Sequence, residues 1–424
     1  GTATFINNGT ANIAVVNVEQ FINTDGGREY FYLASPVSGA TNTTFGNDLA
    51  TDYVEASHAY NAAYTELTPL VSGKGYVSNH TGSDTTYTFS GTLTESDVTV
   101  NLTYTGISDR QRGFNLIGNP YPAYINWAAL FPTNIIEPTI WYPDGFNEFT
   151  TVNATSGESV PAGASAVVPP EQAFWVRVAG NLPTTTNITL TKNLITTDSH
   201  PLYVPNSTRQ VLRLNISNTQ NTDQNLFVFN SNATLGFDAY DSRKMNNEQT
   251  PKIYTMADDI QLVINGIPAV VENQEIALGV KIGSNETYTI AAAEIENISQ
   301  QVILLDKVLN TEFDLSAGNS YEFTSTDAGD NTSRFAIVFR SPNAITQIDG
   351  SNLFNIYVNK QGKITVSFDS KNYIGQSFRL YDATGKMLVE QRINNTITEI
   401  QGNYCSGVYL LNVNQKTVKI IVNN

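Results

Sequence analysis

The runs "VLRLNIS" (Val211–Ser217) and "NLFVFN" (Asn225–Asn230) decide the fold class. Each is a short stretch of β-branched, leucine and phenylalanine residues closed off by polar turn formers. That is the composition of a strand, and it is too short to lay a helical face on a core. "YTIAAAEI" (288–295), "RFAIVF" (334–339), "KITVSF" (363–368) and "GVYLLNV" (407–413) repeat the signature. Long segments with a 3.6-residue period are nearly absent. "NWAALF" (126–131) has room for one helical turn with Asn126 as its N-cap. The pattern predicts an all-β chain of tandem β-sandwiches, jelly-roll or immunoglobulin-like, ending in a small C-terminal β-sandwich.

Composition narrows the function classes. The 424 residues suit roughly two to four domains, and a hydrophobic share of 41% is enough for true cores. The formal net charge is −16 with no basic block, a field that repels nucleic acid and anionic membrane surfaces. No apolar run approaches a membrane span, so no insertion is expected. The single cysteine, Cys405, rules out an intrachain disulfide and a cysteine-based zinc site. Its place beside "GVYLL" predicts a small core residue. The opening "GTATFINNGTANIAVV" has neither an initiator Met nor a signal peptide and reads as part of a longer protein.

Turn signals divide the chain into units at 1–199 and 200–342, a linker at 343–349 and a last unit at 350–424. The first unit carries a degenerate duplication. "FYLASPV" from Phe31 is similar to "FNLIGNPYP" from Phe114, and "YNAAYTEL" from Tyr60 aligns without a gap on "YPDGFNEF" from Tyr142. Each half then reaches a Gly/aromatic strand, "GKGYVS" at 73–78 and "EQAFWVRV" at 171–178. "GFNLIGNPYPAYINW" (Gly113–Trp127) reads as a strand followed by a proline corner, with Tyr121–Pro122 a candidate cis bond.

The last unit contains "FRLYDATGKMLVEQRI" and "GNYCSGVYLLNVNQKTVKIIV". Asp382-Ala-Thr-Gly385 is a turn sequence between two alternating strands. The unit resembles the type A C-terminal sorting domain of proteins exported by the type IX secretion system of Bacteroidota. The matching positions are Leu380, Tyr381, Asp382, Gly385 and Lys386, then Gly407, Val408 and Tyr409, then Lys416 and Lys419. The first two units resemble modules found upstream of such domains in large Bacteroidota surface proteins, through "SPVSGAT", "GKGY" and "TFSGTL" in one and "GFDAYDSRKM", "PKIY" and "LLDK" in the other. The resemblance implies export through the periplasm and across the outer membrane, with the translocon and an outer-membrane shuttle protein as partners. The contact mode expected is recognition of edge strands and loops.

Candidate chemistry is sparse. His58, His80 and His200 each sit in a polar, loop-like stretch without metal-ligand spacing, so surface roles are expected. Asp238 and Asp241 are the best local acids, and the plain expectation is a turn in which they pair with Arg243 or Lys244 or cap backbone N–H groups. Asp327 and Asp330, in "DAGDN", are weak Ca²⁺ candidates alongside them, but lack EF-hand spacing. No cofactor is expected. Trp141, Tyr142 and Trp175, with Phe146, Phe149 and Phe174, fit either a core or a platform for stacking on surface glycans, and core packing is the default. Since neighbours in a strand point to opposite faces, only one of Phe174 and Trp175 is expected in the core.

The function expected is thus a non-enzymatic, adhesin-like region of a secreted cell-surface protein, its last domain being the export signal. The alternative is an accessory glycan-binding region of a secreted polysaccharide-degrading enzyme.

Overall fold

The computed structural model describes residues 4–6, 15–24, 29–106, 112–131, 133–143, 149–180, 182–197, 209–245, 250–283, 285–316, 318–325, 328–340, 354–358, 363–368, 373–413 and 416–422. The chain is all-β, and among the described residues helix is confined to short 3₁₀ turns. One of these, Trp127–Leu130, is capped as expected: Asn126 Oδ1 accepts from Ala128 N at 3.1 Å. The 343–349 linker, His200, Asp327 and Phe146 lie outside the described residues.

The first unit repeats one set of strand pairings. Tyr30–Ala34 pairs antiparallel with Gly75–Asn79, and Phe114–Gly118 pairs the same way with Ala173–Arg177. Around them, Val16–Ile22 pairs with Thr85–Leu93 as Val98–Thr103 pairs with Thr185–Leu190. Leu49–Thr51 adds to the first pair and Thr139–Pro143 to the second. The halves then exchange matching contacts. Leu33 bridges Gln172 while Ile117 bridges Lys74. Ala34 N donates to Glu171 O at 2.8 Å, and Gly118 N to Gly73 O at 3.0 Å. Gly73 and Glu171 both have positive φ, 78° and 56°. Thus Ser35-Pro36 corresponds to Asn119-Pro120, and Ala34 to Gly118. A Cβ on Gly118 would stand 2.0 Å from the Cβ of Ala34, so the glycine is required by the close approach of the two halves.

Asn119 shapes the corner after Gly118. It is fully buried, donates to Ala123 O at 2.7 Å and Pro169 O at 2.9 Å, and accepts from Tyr121 N at 3.0 Å. This side-chain bracket turns the chain without isomerising Tyr121–Pro122: among the described residues the cis bonds are Val160–Pro161 and Thr250–Pro251, which corrects the expectation.

A second correction concerns Phe174 and Trp175, which are both buried. Their side chains do point to opposite faces, but each face has a cover. Phe174 joins the core around Trp127, Ile140 and Val176, whereas Trp175 packs with Phe114, Leu116 and Trp141.

The same two-sided burial explains the strands that fix the fold class. Val211–Ser217 lies between Thr222–Phe229 and Glu286–Glu296 in the second unit. Leu212, Leu214, Ile216, Phe227 and Phe229 enter that unit's own core. Val211, Leu226 and Val228 face the other way and pack with Val160 of the first unit. The second unit is one long, bent sheet whose two arms meet at the hairpin formed by Lys252–Ala257 and Ile260–Ile267, and its core lies between the arms.

In the last unit, Phe354–Val358, Ile364–Phe368 and Ile397–Glu399 form one sheet. The other runs in the order Met387–Arg392, Ser377–Asp382, Gly407–Val413, Lys416–Val422. Ile364, Val366, Phe378, Leu380, Leu411 and Ile420 fill the space between them. Cys405 is exposed, contrary to expectation. It precedes the strand, and Tyr404, largely buried with its hydroxyl on Gln401 O at 2.6 Å, supplies the inward side chain there.

Candidate functional site

The motif positions of the last unit divide into those that build the fold and those that face out. Leu380 is fully buried opposite Leu411. Asp382 closes the hairpin: its Oδ1 accepts from Thr384 Oγ1 at 2.6 Å, Thr384 N at 2.9 Å and Lys386 N at 3.0 Å. The Thr384 hydroxyl and these N–H groups hold its carboxyl below the usual range. Gly385 takes the φ of 85° that the turn demands. Gly407 and Val408, partly exposed, pair with Val422 and Ile421. Tyr409 packs its ring against Tyr404 and donates to Cys405 O at 2.9 Å. Lys416 starts the last strand, opposite Val413.

The outward face is left over from this construction. Met387, Tyr381, Leu410 and Lys419 are consecutive cross-strand partners over all four strands of the sheet. Met387 is half exposed and the other three are partly exposed. Lys386 is exposed at the hairpin end of this row. An aromatic and aliphatic row closed by a lysine is a surface that the unit's own core does not use.

The glycan platform is corrected by burial. Trp141 is inaccessible and its Nε1 donates to Arg243 O at 3.1 Å. Trp175 lies under Tyr53, with ring centroids 4.6 Å apart. Tyr142 packs on Phe174. Neither tryptophan offers a free face for a sugar, and Tyr142 is partly buried. Among the described residues the exposed aromatics include Phe5, Phe21, Tyr30 and Tyr60, of which Tyr30 opens the aromatic run Tyr30-Phe31-Tyr32.

The acids serve the backbone. Asp238 accepts from Tyr240 N and Thr234 N, and Asp241 from Asp238 N and Gly266 N, both at 2.8 Å. Burial pushes the Asp241 carboxyl up to about 7. The capping half of the expectation therefore holds. The pairing half does not, since Arg243 binds Glu137 and Lys244 binds Asp223. Asp330 accepts from Tyr254 and Gln261. Among the described residues no group of three or more His, Cys, Asp or Glu could hold a metal ion. His80 pairs with Asp48 at 2.8 Å and bonds Ser83 O at 2.7 Å; that carbonyl and Asp48 raise its pKa. His58 Nδ1 meets Tyr53 OH at 2.5 Å.

What sequence reading missed is the joint between the first and second units. Glu137 binds Arg177 of its own unit and Arg243 of the other, the latter through both carboxylate oxygens at 2.9 and 3.0 Å. Arg209 grips Glu158 bidentately at 2.6 and 2.8 Å and also binds Glu294 and Glu296. Arg213 donates to Glu294 and to Ser159 O. Each partner is distant in sequence, so only the lone arginine inside the apolar "VLRL" run hints that this face of the strand meets something other than its own core.

The family described as Domain of unknown function (DUF8693) matches residues 142–339. No curated protein and no solved structure matches the chain. The matched stretch contains nearly all of the second unit and the strands Phe149–Asn153 and Ser159–Val160, which meet it through Asn153 and Val160.

Proposed function

We propose that this chain is part of a secreted, adhesin-like cell-surface protein, and that residues 350–424 are its export signal, read by the type IX secretion translocon and its shuttle protein. The observation that supports this reading is the outward row Met387, Tyr381, Leu410 and Lys419. A signal carried by a folded β unit must offer side chains that folding does not consume. Leu380, Leu411 and Ile420 fill the core, while Tyr381 and Lys419 are left for a partner. The flanking strands Met387–Arg392 and Lys416–Val422 end the sheet and offer edges for strand addition. The joined first and second units then act as the exported cargo.

Deleting residues 350–424 is expected to hold the protein in the periplasm of a type IX-competent host. The double change Tyr381→Ser, Leu410→Ser is expected to do the same while leaving the circular dichroism of the unit unchanged. Normal surface display of the truncated protein would overturn the reading.

A further inference from the structure

A cavity of about 240 Å³ opens at the joint, between Phe149–Asn153 of the first unit and Thr222–Phe229 and Lys252–Ala257 of the second. Junctions between packed units are common places for small-molecule sites. Two of its groups lack partners. Lys252 is only 5% exposed and makes no ion pair or hydrogen bond among the described residues. Gln224 Oε1 is buried with no donor. The other cation, Lys244, is already engaged by Asp223 and by Gln224 O.

A buried lysine without a counter-ion and a buried carbonyl without a donor are each costly in a folded protein. Both costs fall if one ligand brings an anion to Lys252 and a hydroxyl to Gln224. Thr151 and Thr222 add hydroxyls to the lining, and Phe149 and Met245 add apolar surface. A carboxylate, several hydroxyls and an apolar ring face belong together in an acidic sugar. We infer that the joint binds a monoanionic, hydroxylated ligand of monosaccharide size, a uronic acid unit, with its carboxylate on Lys252. The inference is independent of the export reading, and its test involves no export.

The test is calorimetric titration of the full chain at low salt with glucuronate and galacturonate, against glucose as the neutral analogue and sulfate as the bare anion. Saturable binding is expected for at least one uronate. Lys252→Met should weaken it by roughly tenfold to a hundredfold, the worth of a charge-assisted hydrogen bond, without lowering the thermal midpoint. Gln224→Leu should weaken it less. Absence of saturable uronate binding at millimolar concentration, equal binding of glucose or sulfate, or unchanged affinity in Lys252→Met would each overturn the proposal. So would a Lys252→Met protein that loses stability and leaves uronate binding intact, because Lys252 would then be structural.

Discussion

Glu171 makes the first unit sensitive to pH, and the direction follows from its position. The residue is 3% exposed, sits at φ 56°, and its carboxyl receives no hydrogen bond from the described residues. Burial alone pushes that carboxyl up from 4.5 to about 8. The unfolded chain therefore gives up this proton near pH 4.5, while the folded chain keeps it to about pH 8. Between those limits the folded state binds the extra proton, so stability falls as pH rises, and the whole loss is present above pH 8. At about 1.4 kcal/mol for each tenfold change in proton affinity, the loss is at most about 5 kcal/mol. Glu171→Gln keeps the side-chain shape and cannot ionise. Its stability is expected to match wild type at pH 4.5 and exceed it by a few kcal/mol at pH 8.5. Urea unfolding followed by tryptophan fluorescence isolates the effect, because Trp127, Trp141 and Trp175 all lie in the first unit. His80, whose pKa is raised, also withdraws stability as pH rises, but equally in both proteins, so it cancels from the difference. A gap between variant and wild type that stays constant from pH 4.5 to 8.5 would refute the reasoning. Glu171→Gly, which copies Gly73 in the other half, should add about 1 kcal/mol by relieving the left-handed backbone.

Glu137→Gln leaves the buried Arg177 and the largely buried Arg243 without their shared carboxylate. It is expected to cost roughly 3–5 kcal/mol in the same urea experiment, and a loss below 1 kcal/mol would count against the joint as a stabilising contact. Gly118→Val drives a side chain into Ala34, so a drop of about 3 kcal/mol or more should appear in the thermal midpoint. Trp175→Ala should cost about 3–5 kcal/mol through the cavity it leaves. It should not alter retention on any immobilised glycan; selective loss of retention by a stable variant would restore the platform.

Strand content was legible because it is written locally, in β-branched runs closed by turn formers. The repeated corner was legible for a related reason, whereas the gap-free alignment of Tyr60 on Tyr142 is not kept: the register sets Thr51 against Val77 as Trp141 against Trp175. Ser35-Pro36 and Asn119-Pro120 keep the strand-then-proline corner, and the positive-φ position is kept as Gly73 and Glu171. The covers of each face were not legible. Alternation correctly sends Phe174 and Trp175 to opposite faces, but no local pattern says that both faces are roofed. The same holds for Arg213, whose carboxylate partner Glu294 lies far along the chain. Periodicity gives the direction of a side chain, and only tertiary packing supplies what it meets.

That distinction bears on where the functional units lie. A boundary near residue 200 follows the sequence signals, yet the apolar cluster of Val160, Val211, Leu226, Val228, Val263 and Ile264 straddles it. Cutting there would expose that cluster and strip Arg213 of Ser159 O, and Arg209 of Glu158. The matched family stretch, 142–339, crosses the same boundary and leaves Glu137, Thr139 and Trp141 outside, although all three bind the second unit. The last unit differs. Among the described residues its core cluster draws only on Ile356 to Val422, and its hairpin is closed by its own Asp382. Packing thus yields one large body holding the cavity and one small unit with a core of its own. The proposed ligand site lies at the interface within the first, and the proposed export signal is the second, whose core cluster is its own.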